Sequence, residues 1–161
     1  MSRRKIKTTS QIKKIASGLH RQGKKIVFTN GCFDLIHFGH VMYLEKARSK
    51  GDILILGLNS DSSVKRIKGN KRPIVSQDDR AGVLEALESV DYVVIFNEDT
   101  PLETIKAIKP DALVKGSDWK KNNIVGAEFV RSYGGKIYTI TLASGRSTTN
   151  LINKIVKTFK N

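Results

Sequence analysis

Apolar positions fall into two rhythms along this chain. Short, nearly continuous apolar runs rich in Val, Ile and Leu recur at residues 25–29, 52–59, 92–96, 112–114 and 136–142. Runs of that length read as strands covered on both faces. Between them, apolar residues recur at helical spacing. After a frayed basic start over residues 1–9, Ser10 caps a helix carrying Ile12, Ile15, Ala16 and Leu19, which Gly23 ends. Further helices are expected at residues 37–50, from Asp61 or Ser62 to Lys68, and at 76–89, where Ser76-Gln77-Asp78-Asp79 has the form of a capping box and Val83, Leu84 and Leu87 turn inward. Thr100-Pro101 reads as an N-cap with proline in the first helical position, and Pro110 stops that helix. A helix at 124–133 ends at Gly134-Gly135, and a last one carries Leu151, Ile152, Ile155, Val156 and Phe159.

Strands and helices alternate from end to end, which predicts one α/β domain over residues 1–161: a Rossmann-like, doubly wound, parallel five-stranded sheet with helices on both faces. Sheets of this kind bind ligands at the carboxyl ends of their strands, where strand order reverses. Three strand-to-helix junctions, 29–40, 115–119 and 143–149, carry polar residues, and they predict a shared site.

Size and composition change this picture little. A chain of 161 residues buries roughly 68–70% of its unfolded surface without staples. The single Cys32 can form no internal bridge, and no apolar run is long enough for a signal peptide or a membrane span, so a cytoplasmic location is expected. The net charge of +14 suits a nucleic-acid partner, a site for highly phosphorylated small molecules, or a lysine-rich solubilising surface. The basic residues are scattered and lack aromatic interleaving, so charge alone does not choose.

The junction Thr29-Asn30-Gly31-Cys32-Phe33-Asp34-Leu35-Ile36-His37-Phe38-Gly39-His40 is more informative. A glycine-containing turn leads to a helix N-terminus, where an anion binds. His37 and His40, two of the chain's three histidines, share a face there. With Cys32 they lack a third ligand in register, so no zinc site is expected. Neither the Walker form nor Gly-x-Gly-x-x-Gly occurs, which disfavours P-loop and nicotinamide enzymes.

The remaining pattern, His37-Phe38-Gly39-His40, resembles the signature of the cytidylyltransferase-like nucleotidyltransferases. The resemblance continues through Leu58-Asn59-Ser60-Asp61, Lys68-Gly69 with Arg72-Pro73, Arg80, Asp99-Thr100-Pro101, Val114-Lys115-Gly116-Ser117-Asp118, Val125-Gly126-Ala127-Glu128 and Gly145-Arg146-Ser147-Thr148-Thr149. Together these segments resemble the stand-alone form of the D-glycero-D-manno-heptose 1-phosphate adenylyltransferase family over residues 10–156. That resemblance implies transfer of AMP from ATP to the sugar phosphate, with Mg²⁺ bound mainly through the triphosphate, to make ADP-heptose for bacterial surface polysaccharide. It also implies a homodimer, with neither nucleic acid nor membrane as partner.

The same resemblance implies residue roles. His37, His40 and Arg48 would act in catalysis. Asn30, Gly31, Phe33, Gly39, Gly116, Asp118, Trp119, Ser147, Thr148 and Thr149 would hold the nucleotide, and Asp34, Asn59, Asp61, Lys68, Arg72 and Arg80 the sugar phosphate. Glycerol-phosphate cytidylyltransferases share both signatures but carry an arginine where Leu142 stands, and Arg146 is the candidate to replace it. Two alternatives stay open: a cytidylyltransferase acting on a small polyol or amino-alcohol phosphate, and a basic nucleic-acid-binding module with incidental histidines.

Overall fold

The computed structural model describes residues 5–117, 123–141 and 147–159. In chain order its elements are β1 (Ile6–Lys7), α1 (Thr9–Arg21), β2 (Ile26–Gly31), α2 (Phe38–Arg48), β3 (Ile53–Asn59), α3 (Asp61–Lys68), α4 (Gln77–Ala86), β4 (Tyr92–Phe96), α5 (Leu102–Ile108), β5 (Ala112–Gly116), α6 (Ala127–Ser132), β6 (Lys136–Ile140) and α7 (Thr148–Phe159). The strands form one sheet in the order β1-β4-β3-β2-β5-β6, with every pairing parallel. The doubly wound expectation holds, with six strands in place of five. The additional strand pairs Ile6 with Val93, so regular structure starts inside the stretch expected to be frayed. Two residues are too few to show a period, which is why the pattern hides β1.

The strands sort their side chains by parity. In β3, Leu54, Leu56 and Leu58 face a core shared with Tyr43, Leu44 and Ala47 of α2 and Ala81 and Leu84 of α4. Ile55 faces the opposite core, built with Ile12 and Ala16 of α1, Ile105 and Ile108 of α5 and Val130 of α6. A strand buried on both sides must be apolar along its covered length, and β3 is from Ile53 to Leu58. Gly57 on this second face lies under Phe28, whose Cζ would be 2.7 Å from any added Cβ.

Several local expectations are corrected. Thr8, not Ser10, caps α1, exchanging hydrogen bonds with Gln11. Pro101 itself occupies the cap position of α5, without a side-chain cap from Thr100. Val83 is 49% exposed, because α4 turns Arg80, Ala81 and Leu84 inward, while Leu87, just past its end, packs against the core as expected. The apolar stripe of α7 is also outside the core: none of its described residues is buried, and Phe159 is 78% exposed. Both sheet faces are already covered by α2 and α4 on one side and α1, α5 and α6 on the other. Among the described residues no helix is long and apolar enough to cross a membrane.

From β2 the chain steps outward to β3 and β4 on one side and to β5 and β6 on the other. Strand order therefore reverses between β2 and β5, and the crevice outside their carboxyl ends is where such a sheet takes a ligand.

Candidate active site

At that crevice lies a cavity of about 750 Å³, bordered by the β2–α2 turn, the ends of β3 and β5, the α3–α4 connection and the start of α7. The turn is built by Gly31 and Phe33. Phe33 adopts a positive φ of 44°, which reverses the chain between strand and helix, and its ring packs on Gly31, where an added Cβ would come 3.0 Å from the ring. The other side of the cleft wall is His40, whose ring centroid is 5.3 Å from that of Phe33. A non-glycine residue in this backbone region is held there by its surroundings, and such strain gathers at functional turns.

His37 is the N-cap of α2 rather than its first helical residue. Its Nδ1 accepts a hydrogen bond from the Gly39 N–H at 3.2 Å, and His40 Nδ1 accepts from the His37 N–H at 3.3 Å. The two imidazoles thus form a reciprocal capping box, stacked with centroids 4.0 Å apart. An Nδ1 that accepts a backbone N–H carries no proton, so each neutral ring carries its proton on Nε2. Burial, reinforced by repulsion from His37, pushes the His40 pKa down to about 4. At neutral pH His40 is therefore an uncharged Nε2–H donor. Gly39 lies buried between the pair and contributes its N–H.

The second signature arrives from far along the chain. Ser147 Oγ caps α7 by accepting from the Asn150 N–H at 3.1 Å, and Thr148 Oγ1 donates to the Leu35 carbonyl at 3.4 Å. Ser147, Thr148 and Thr149 thereby border the same cavity as His37 and His40, so two helix N-termini share it. Their aligned N–H groups favour an anion. Lys68 and Arg72 border the cavity from the α3–α4 side, and Asn30 and Asn59 from the strand ends.

Other sequence candidates stand elsewhere. Arg48 is at the far end of α2, about 15 Å along the axis from the histidines, where it pairs with Asp91 at 2.9 Å and donates to the Gly51 carbonyl. It does not border the cavity. Arg80 is fully buried and donates to the carbonyls of Cys32, Val75 and Asn59 and to Asp61 Oδ1, so neither Arg80 nor Asp61 borders the cavity as a sugar-phosphate ligand. Asp34 borders it but is engaged within the protein: Oδ1 accepts from the Ile74 and Val75 N–H groups and Oδ2 from Arg72. Gly116 closes β5, buried against Ile140 of β6, and is not at the cavity wall. Asp118, Trp119, Leu142 and Arg146 lie outside the described residues.

Lys115, which stands in the family-like segment Val114-Lys115-Gly116-Ser117-Asp118, is a further residue at the site. It borders the cavity and donates to the Asn30 carbonyl at 3.1 Å, tying β5 to the end of β2 at the switch point. The available signal was a polar residue directly after an apolar run. Asp99 and Pro101, after β4, also border the cavity, with Asp99 paired to Arg66 at 2.6 Å. Among the described residues no three metal-binding side chains cluster.

A family model described as Cytidylyltransferase-like matches residues 28–151. The chain is 53% identical over 155 residues to the Bifunctional protein HldE of Geobacter sulfurreducens, covering 96% of this chain and 32% of that protein. With the Bifunctional protein HldE of Aliarcobacter butzleri it shares 58% identity over 150 residues, covering 93% and 31%. The chain thus spans about a third of the length of these curated relatives. Among solved structures, the lipopolysaccharide core biosynthesis protein from Thermoplasma volcanium superposes with a TM-score of 0.60 at 26% identity, over 75% of this chain and 98% of that one. The pantoate-beta-alanine ligase from Francisella tularensis shares the fold, with a TM-score of 0.61 at 16% identity over 97% and 81%. The family match runs from the middle of β2 into α7 and so takes in both helix N-termini at the cleft, and by that match the chain belongs to the cytidylyltransferase-like family.

Proposed function

We propose that this chain transfers AMP from ATP to D-glycero-D-manno-heptose 1-phosphate and releases pyrophosphate. The observation that carries the proposal is the pair of stacked imidazoles at one helix N-terminus, facing a cleft that a second helix N-terminus also borders. Relatives named Bifunctional protein HldE and a neighbour titled as a lipopolysaccharide core biosynthesis protein support the sugar-phosphate acceptor.

The acceptor phosphate is ionised at neutral pH, so an oxygen of it attacks the α-phosphorus without a general base. The new P–O bond forms as the bond to the β-phosphate oxygen breaks, and pyrophosphate leaves with the electron pair. The remaining demands are in-line positioning and stabilisation of charge on the α-phosphate and leaving group. The Nε2–H groups of His37 and His40, the N-terminus of α7 with its hydroxyls, and Lys115 supply donors on one side. Lys68 and Arg72 receive the acceptor's phosphate on the other. A neutral Nε2–H on His40 suits this chemistry, because it stabilises developing charge without a proton being lost to the phosphate.

Mg²⁺ would be held through the triphosphate oxygens, since Asp34 and Asp99 at the cleft are both engaged by arginines; when bound it neutralises charge on the leaving group. The location proposed is the cytoplasm, where ATP is available.

Mass spectrometry of products from ATP, Mg²⁺ and a set of sugar 1-phosphates tests the assignment, with ADP-heptose expected. The family's description keeps one second reading in play, a cytidylyltransferase for a small polyol phosphate. Faster turnover with CTP than with ATP would favour it.

A further inference from the structure

Asp34 is a carboxylate at a phosphate site, where a second negative charge is unwelcome, and its side chain is only 1% exposed. Its two oxygens have separate tasks. Oδ1 accepts from the N–H groups of Ile74 and Val75, at 2.8 and 2.9 Å, and so pins the α3–α4 connection to the β2–α2 turn. Among the described residues Oδ2 takes only the Nε–H of Arg72. Arg72 is 21% exposed and borders the cavity from the α3–α4 connection. With Nε anchored, the forked Nη end of the guanidinium is held in one place before any ligand arrives. A long, rotamer-rich side chain that is ordered in advance loses less freedom on binding.

We infer that Asp34 is a positioning residue that acts through Arg72, fixing the guanidinium that grips the phosphate of the acceptor substrate. The inference rests on the proposed adenylyl transfer for the identity of that acceptor. It replaces the direct sugar-phosphate role suggested for Asp34 by the sequence, because both oxygens are committed within the protein.

Asp34→Asn separates the two tasks. The amide oxygen can keep both backbone N–H groups, and the NH₂ then meets the Arg72 Nε–H donor to donor. The flipped amide would create two such conflicts instead of one, so the first orientation is favoured. Arg72→Lys keeps the charge without the anchored fork, and tests the same link if Asp34→Asn fails to fold.

The experiment is steady-state kinetics with ATP and heptose 1-phosphate for wild type, D34N, R72A, R72K and D34N/R72A. Calorimetric binding of mannose 1-phosphate is the turnover-free probe, and urea unfolding checks the fold. D34N and R72K are expected to raise KM for the acceptor roughly 10- to 100-fold, with kcat and KM for ATP within about threefold. In the R72A background D34N should add less than about twofold. An acceptor KM near wild type, a rise in KM for ATP instead, or an equal cost of D34N with and without Arg72 overturns the inference and leaves the adenylyltransferase reading standing. If heptose 1-phosphate is not turned over but D34N still weakens mannose 1-phosphate binding, the positioning role stands and the acceptor assignment fails. A wild-type chain that neither binds nor adenylylates a sugar 1-phosphate overturns both.

Discussion

His37 and His40 spend one ring nitrogen each on holding the helix start, and both residues border the cleft. His37→Ala and His40→Ala are each expected to lower kcat by about 10²–10³, or 3–4 kcal/mol, as removal of an oxyanion-hole donor does, measured by pyrophosphate release. The shifted pKa of His40 has a second consequence. The folded protein resists its protonation down to about 4, whereas the unfolded chain takes that proton near 6.5. The unfolded state binds more protons in this window, so the stabilisation from neutral His40 is complete above pH 6.5 and is lost as pH falls toward 4. Urea midpoints at about pH 7.5 and about pH 5 should therefore fall further for wild type than for His40→Gln.

Between elements, Arg80 of α4 ties together three segments that border the cleft. Its guanidinium ends the carbonyl search of Cys32 in the β2–α2 turn, Val75 ahead of α4 and Asn59 at the end of β3. Arg80→Met should cost about 3 kcal/mol in urea unfolding, since it strands buried acceptors and the partner Asp61. Arg48→Ala is expected to behave differently. Its pair with Asp91, with side chains 33% and 28% exposed, is worth about 0–1 kcal/mol, and pyrophosphate release should stay within about threefold of wild type. In sequence these arginines look alike, as basic residues in or near family-like segments. Their packing separates a buried brace from a surface pair.

For the molecule as a whole, the charge of +14 serves the substrates that the cleft is proposed to bind. Lys68, Arg72 and Lys115 meet at one end of the sheet although basic residues are scattered along the chain. Both proposed substrates carry several negative charges, so kcat/KM at low substrate should fall as salt rises through about 0.05–0.5 M, where the Debye length shrinks from over 10 Å to a few Å. Generic RNA should show little binding at physiological salt in the same buffers, as expected of a basic cleft rather than a nucleic-acid surface.

The apolar rhythm alone determined the alternation of strands and helices from β2 onward and the layering on both faces of the sheet, because burial on two sides forces runs such as Ile53-Leu54-Ile55-Leu56 to be apolar throughout. It also located the His37-Phe38-Gly39-His40 junction, since a helix start and its caps are local features. Beyond local range it could not reach. The meeting of Thr148 with Leu35, 113 residues apart, depends on strand order, and so does the contact of Lys115 with Asn30 across the switch point. Whether Asp34, Arg48 and Arg80 face a ligand or other groups of the protein depends on which backbone groups and charges stand beside them in space. Only the tertiary structure decided that, because hydrogen-bond partners are chosen by proximity and not by sequence spacing.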